Sequence, residues 1–179
     1  MNAIKLSPVA QKFVLHWGEM GTRWGINRTV AQVHALLFIS DKPLPADEIA
    51  ATLQIARSNA STSLRELQNW GIIRVVHVLG DRRDHFESMK DVFEMFRVIA
   101  RERKRRELDP TSAVLRECIE EAKGKTPEPY LHDRLADLLE FFVVADTAHS
   151  QMERLPTPAL VKLAKFGEKT LRLLGVKTE

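Results

Sequence analysis

Arg57, Ser58, Asn59, Ser61, Thr62 and Arg65 fall where a helix would turn them to one outward side, while Ile55, Ala60, Leu64 and Leu67 recur at spacings of five, four and three and fall on the other. The chemistry such a face offers is hydrogen bonding to flat arrays of donors and acceptors. A guanidinium can bind guanine bidentately and a carboxamide can do the same with adenine, each worth about 1–3 kcal/mol of discrimination. Asn59 is therefore the leading candidate base reader. Arg57 and Arg65 are suited to phosphate or guanine, and Ser58, Ser61 and Thr62 to shorter-range contacts. Arg65 and Glu66 also admit a plainer reading, as parts of a solvated helix face.

Further cations lie nearby in the sequence. Gly80-Asp81 starts a turn with Arg82 and Arg83 at its tip, and arginines on such a tip suit phosphate or a narrow minor groove. Asp81 and Asp84 flank them, so internal ion pairing competes with that role. Arg28 stands near the start of an earlier helix, where it would meet a nucleic-acid backbone. The run RERKRR at 101–106 reads first as mixed charge on an exposed helix and only second as a DNA-binding stripe.

The elements that must position these groups read as follows. Pro8 opens a helix to about Met20, with Val9, Phe13, Val14, Trp17 and Met20 on one face and Gly21 and Gly25 as breakers. Asn27 caps a second helix through Ser40, apolar at Val30, Val33, Ala35, Leu36, Leu37 and Ile39. A short helix from about Pro45 to Gln54 precedes the polar-faced one, which Gly71 ends in a left-handed cap. Residues 72–79 read as a strand and 85–88 as its partner. Everything after Lys90 reads helical: a segment through Arg106, a break at Asp109-Pro110, a stop at Gly124, a helix over about 129–149, and a last one from Thr157-Pro158 to near Gly175.

Helix, tight turn, helix and two-stranded ribbon, in that order over residues 44–88, is the arrangement by which one helix braces another in a major groove. The expected fold is mainly α: a winged helix-turn-helix DNA-binding domain over residues 1–90, with a helical dimerisation and effector module over 91–179. Charge follows that division. Residues 1–90 hold 11 Lys/Arg against 8 Asp/Glu, and 91–179 hold 16 against 16, so the net +3 lies wholly in the front half.

Other classes find less in the chain. Cys118 is the only cysteine, which excludes an internal disulfide and a thiolate zinc cluster; among apolar helical positions it reads as a buried structural thiol. His16, His34, His77, His85, His132 and His149 show no metal-ligand spacing, although His77 and His85 would pair across the wing strands. Neither a phosphate loop nor a nucleophile elbow is present, so no catalytic residue, cofactor or metal is assigned. No apolar run approaches a membrane span and no signal-peptide core is seen, so a cytoplasmic protein is expected. Trp17, Trp24, Phe93, Phe96, Tyr130, Phe141 and Phe142 would serve as an aromatic box for a quaternary ammonium ion, but aromatics at helical spacing are more often core. The rival functional reading is a winged helix used as a protein-interaction module or scaffold. It would call for exposed aromatics or leucines where the face in question is short, polar and basic.

The markers FVLHWGEMG (Phe13, Gly18, Met20, Gly21), RWGINRTVAQVHALL, NASTSLRELQNWG (Ser61, Leu64, Leu67, Gly71) and GDRRDHFES followed by DVFEMF resemble the GbsR-type branch of the MarR superfamily of bacterial transcriptional regulators. The resemblance implies a homodimeric winged-helix repressor or activator on double-stranded DNA, sometimes governed by a small ligand. The dimer would use the first helix together with carboxy-terminal helices. One departure stands out: family members often place Ser where this chain has Ala56. Alanine cannot cap, so Ser58 or Asn59 would be drawn to the open amides and away from DNA.

Overall fold

The computed structural model describes residues 3–123, 128–163 and 166. The chain divides into two compact units, Met1–Ile99 and Ala100–Glu179.

The first unit is built on α1 (Pro8–Arg23), α2 (Arg28–Ile39), β1 (Leu44–Pro45), α3 (Ala46–Leu53), α4 (Arg57–Asn69), β2 (Ile73–Val76), β3 (His85–Ser88) and the start of α5 (Val92–Arg103). Ser7 caps α1, its Oγ accepting from the Ala10 amide, and Pro8 occupies the first turn. Asn27 caps α2, its Oδ1 accepting from the amides of Thr29 and Val30 at 2.8 and 3.4 Å. The small sheet is antiparallel in the order β1-β3-β2, with Val75 and Leu44 both opposite Phe86. Val33, Leu36, Leu37, Leu44, Ile49, Leu64, Leu67 and Ile72 are all but fully buried, so α2 forms the centre against which α3, α4 and the sheet pack.

Three details differ from the sequence expectation. Helix α1 runs through Gly21 to Arg23, and its buried residues are Val14, Gly18 and Gly21, while Val9 is exposed. A Cβ built on Gly21 would stand 2.5 Å from the Cβ of Ala31, so this glycine lets α1 and α2 approach closely, whereas one on Gly18 would meet the Gln32 side chain, 2.6 Å away at Cγ. Gly25, at φ +74°, is what ends the segment. The turn between α3 and α4 is made by Gln54 in the left-handed region (φ 54°), with the Ile55 amide donating back to the Ala50 carbonyl. On α2, Ile39 is exposed and His34 is buried; its Nε2 lies 3.3 Å from the Ser88 Oγ, linking α2 to β3. Burial pushes the His34 imidazole down to about 4, so it is neutral.

The second unit holds the end of α5, a π-helical turn (Lys104–Leu108), α6 (Asp109–Ala122), α7 (Pro129–Arg154) and a helical stretch over 157–163. No break occurs at Asp109-Pro110, where Leu108 and Asp109 both keep right-handed helical backbone. A proline inside a helix collides with the carbonyl four residues back. The wider π turn just before Pro110 relieves that collision, and Thr111 Oγ1 donates to the Glu107 carbonyl at 2.6 Å. Cys118 is half-buried rather than buried. Helix α6 ends at Ala122 with Lys123 as its cap; the expected stop at Gly124 and the end near Gly175 lie outside the described residues.

Helix α7 is 26 residues long without one buried residue. Leu131, Leu138, Phe141, Val144 and Met152 follow each other at helical spacing and are all exposed. No helix among the described residues is long and apolar enough to cross a membrane.

Candidate nucleic-acid interface

Helix α4 is amphipathic in the simplest sense. Ala60, Ser63, Leu64 and Leu67 are buried on the inner side, and Arg57, Ser58, Asn59, Ser61, Thr62 and Arg65 are exposed on the outer one. Ile55, just before it, is half-buried. Its 13 residues make a rod of about 20 Å, and a major groove about 12 Å wide admits such a rod. Ala56 stands at the N-cap and no side chain caps the helix. Ser58 and Asn59 are not recruited to the open amides: neither side chain has a hydrogen-bond partner among the described residues, and the same holds for Ser61 and Thr62.

Asn59 and Thr62 line a polar recess of about 200 Å3 together with Asn27 and Thr29 from the start of α2. The exposed Arg28 lies between those two α2 residues, so the first turn of α2 and the outer side of α4 share one surface. Ser63 and Glu66 complete the recess.

The strands of the wing are shorter than expected at one end, Ile73–Val76 rather than 72–79, and as expected at the other, His85–Ser88. Their loop turns at Val78–Asp81, where the Asp81 amide donates to the Val78 carbonyl and Gly80 takes φ +86°. That left-handed position favours glycine. Arg82 is exposed and has no acidic partner within 4 Å among the described residues, as is also true of Arg28, Arg57 and Arg65.

Arg83 behaves differently. Its guanidinium holds Asp81 Oδ2 at 2.6 Å, Asp47 Oδ2 at 2.8 Å and Glu48 Oε1 at 3.5 Å. The Arg83 hydrogen bond is the main reason the Asp81 carboxyl is held down at about 2, and the same partners push the guanidinium up. Asp47 and Glu48 open α3, where carboxylates also suit the helix dipole. In this state Arg83 fastens the wing to the first helix of the helix-turn-helix, and its donors are committed there. Of the two roles the sequence leaves open to Arg83, phosphate contact beside Arg82 and ion pairing with a flanking aspartate, the pairing with Asp81 is present here. Sequence reading passed over Asp47 and Glu48 as partners of Arg83, since acids in a first turn look like ordinary dipole partners.

The basic run is likewise spent internally. Arg101 pairs with Glu153 (2.7 Å), Arg103 with Glu107 (3.2 Å), Lys104 with Asp109 and Asp146 (2.6 and 2.8 Å), and Arg105 and Arg106 with Glu102 (2.7 and 3.6 Å). This is the mixed-charge helix face and not an open stripe of cations.

Of the seven candidate box aromatics, Trp17, Trp24 and Phe96 line one small apolar recess with Met20 and His34. Phe93, Tyr130 and Phe141 are exposed and Phe142 is half-buried. His77 stands 3.9 Å from Asp84, whereas His85 is buried with Nδ1 2.9 Å from the Arg83 carbonyl, so the two do not form a pair. Among the described residues no group of three His, Cys, Asp or Glu is placed to hold a metal ion.

Comparison with known proteins places this geometry in context. Residues 24–84 match the profile of the MarR family. The HTH-type transcriptional repressor GbsR of Bacillus subtilis is 27% identical over 73 residues, which span 41% of this chain and 40% of that protein. The chain thus matches less than half the length of this curated relative. A solved structure described as a transcriptional regulator superposes with a TM-score of 0.66 at 23% identity, covering 81% of this chain and 95% of the other. At that identity the likeness is one of fold.

Proposed function

We propose that this chain, residues 24–84 of which match the MarR family, is a GbsR-type member of the MarR superfamily and a sequence-specific regulator of transcription. It acts as a cytoplasmic homodimer on double-stranded DNA, most simply as a repressor. The observation that carries the reading is the uncommitted state of one set of polar and basic side chains. Arg28, Arg57, Ser58, Asn59, Ser61, Thr62, Arg65 and Arg82 are exposed with no hydrogen bond or ion pair among the described residues, while Arg74 and Arg83 are tied to carboxylates. Asn59 and Arg65 read base edges in this proposal, and Arg28, Arg57 and Arg82 neutralise phosphates.

Residues 1–90 serve as the DNA-binding part and 91–179 as the part for self-association and effector response. The exposed apolar stripe of α7 supports self-association, because a stripe of that length is covered in most stable proteins. Two copies would present their α4 helices to successive major grooves about 34 Å apart. Control by a small ligand enters the reading through family resemblance alone.

Fluorescence anisotropy tests the proposal. The full chain is titrated against duplex DNA from upstream of its own gene and against a scrambled duplex, across a salt series. Binding at least about a hundredfold tighter to the first at near-physiological salt is the expected result. Equal, salt-fragile binding to these and to genome-derived fragments would refute it.

A further inference from the structure

The most exposed apolar side chain in the winged helix is on the wing. Leu79 is 105% exposed and Val78, beside it, 41%. Leu79 is the second residue of the turn Val78–Asp81, with left-handed Gly80 after it, so its side chain stands clear of the ribbon. An apolar group placed there gains nothing from folding, since no part of the core covers it.

Three neighbours suit that tip to a negatively charged, narrow groove. Arg82 carries an unpaired positive charge. The Asp81 carboxylate, which would otherwise repel phosphate, is neutralised by Arg83. Arg83 also anchors the wing to Asp47 and Glu48, so the tip is held rather than loose. A protein partner would require several hundred Å2 of contiguous apolar surface, and Val78 and Leu79 are the exposed apolar side chains this wing offers.

We propose that Leu79 is a specificity-determining residue, an apolar wedge that the wing carries into the minor groove beside Arg82. The inference rests on the DNA-binding reading above and adds a second source of selectivity to it. Leucine is among the residues that part base steps from the minor-groove side, and pyrimidine–purine steps yield most easily. The site would then be selected partly by deformability, at a step no polar side chain reads.

The test is selection of duplexes from a random pool by the full chain and by Leu79→Ala, Leu79→Met and Asn59→Ala. Each is followed by binding to a wild-type-selected duplex carrying 2-aminopurine at the step flanking the half-site. Leu79 touches no core residue, so its variants fold. The wild type should enrich a TA or CA/TG step at a fixed distance from the bases that Asn59 governs, with 2-aminopurine brightening on binding. Leu79→Ala should keep those bases, lose the step and the brightening, and bind about tenfold more weakly. Leu79→Met should behave as wild type. If Leu79→Ala enriches the same step with unchanged affinity and fluorescence, the wedge is refuted while the DNA-binding reading stands. If the wild type enriches no sequence at all, the reading beneath fails and the wedge with it.

Discussion

Replacing Gly21 with alanine tests the packing that seats α1 on α2. The new methyl would stand 2.5 Å from the Ala31 Cβ, whereas carbons in good contact sit about 3.5–4.0 Å apart. About 1 Å must therefore be found, and neither methyl has a torsion that moves it, so the two helix backbones must separate. Overpacking of this kind costs about 1–3 kcal/mol. Exchanging a helical glycine for alanine returns about 1 kcal/mol. With an overlap this severe, Gly21→Ala should lose about 2 kcal/mol net. Gly18→Ala is the control, because its new methyl meets the Gln32 side chain at Cγ 2.6 Å, which χ1 rotation can carry away. It should stay near wild type. Urea unfolding followed by tryptophan fluorescence reads the right part of the chain, since Trp17, Trp24 and Trp70 all lie in the first unit. The midpoint should fall for Gly21→Ala with the slope unchanged. Ala31→Gly in the same chain should restore most of the loss, and since that glycine by itself costs about 1 kcal/mol the coupling is about 3 kcal/mol. Equal stability of the two glycine variants, or no coupling to Ala31, would refute the close-packing argument.

Other outcomes follow from the same structure. Asn59→Ala and Arg65→Ala should each weaken binding to the selected duplex by about 1–3 kcal/mol and barely alter binding to scrambled DNA; uniform losses would remove them as base readers. Arg82→Ala should lower the salt slope of DNA binding by about one, whereas Arg83→Ala should leave it and instead loosen the wing. The loosening would show as lower amide order parameters over 78–82 and an Asp81 carboxyl titrating upward toward 3.8; equal slope changes for both variants would contradict the assignment of Arg83 as an anchor. His34 is depressed from 6.5 to about 4, so the unfolded chain takes up its proton first. Its contribution is complete above about pH 6.5 and declines toward pH 4, at up to about 1.4 kcal/mol per pH unit. His34→Gln should flatten that slope between pH 6.5 and 5 in urea titrations, and an unchanged slope would place its origin elsewhere. If the chain forms the proposed homodimer through α7, Leu138→Lys with Phe141→Lys should be monomeric by light scattering where the wild type is dimeric; a double variant that stays dimeric would move the interface away from α7.

Much of the architecture was legible because it follows from local rules. Asn27 caps where a polar side chain precedes an apolar period, Pro8 opens α1, Gly71 ends α4 at φ +77°, and the inner stripe of α4 is set by spacing alone. The outward position of Arg57, Asn59 and Arg65 was legible for the same reason. What escaped was long-range. Gly21 reads as a breaker in isolation and becomes a packing residue only because Ala31 comes back against it. Arg83 reads as a cation paired at most with its neighbours Asp81 and Asp84 until Asp47 and Glu48, more than thirty residues earlier in the chain, are brought to it. The cations at 101–106 find Asp146 and Glu153 only once α7 is laid alongside. Asp109-Pro110 carries every local sign of a helix start, and the π turn before it lets the helix continue instead. His34 looked like one of several scattered histidines, since nothing in its neighbours announces a polar ring inside an apolar helix.

The central claim, that the exposed side of α4 reads base edges in the major groove, is tested most directly by methylation interference on the duplex the wild-type chain selects. Guanine N7 lies in the major groove, so its methylation blocks an arginine held there. The account predicts two clusters of interfering guanines, centred about 10 base pairs apart, with the cluster signal lost in the Arg65→Ala chain. Binding indifferent to N7 methylation throughout the duplex would contradict it.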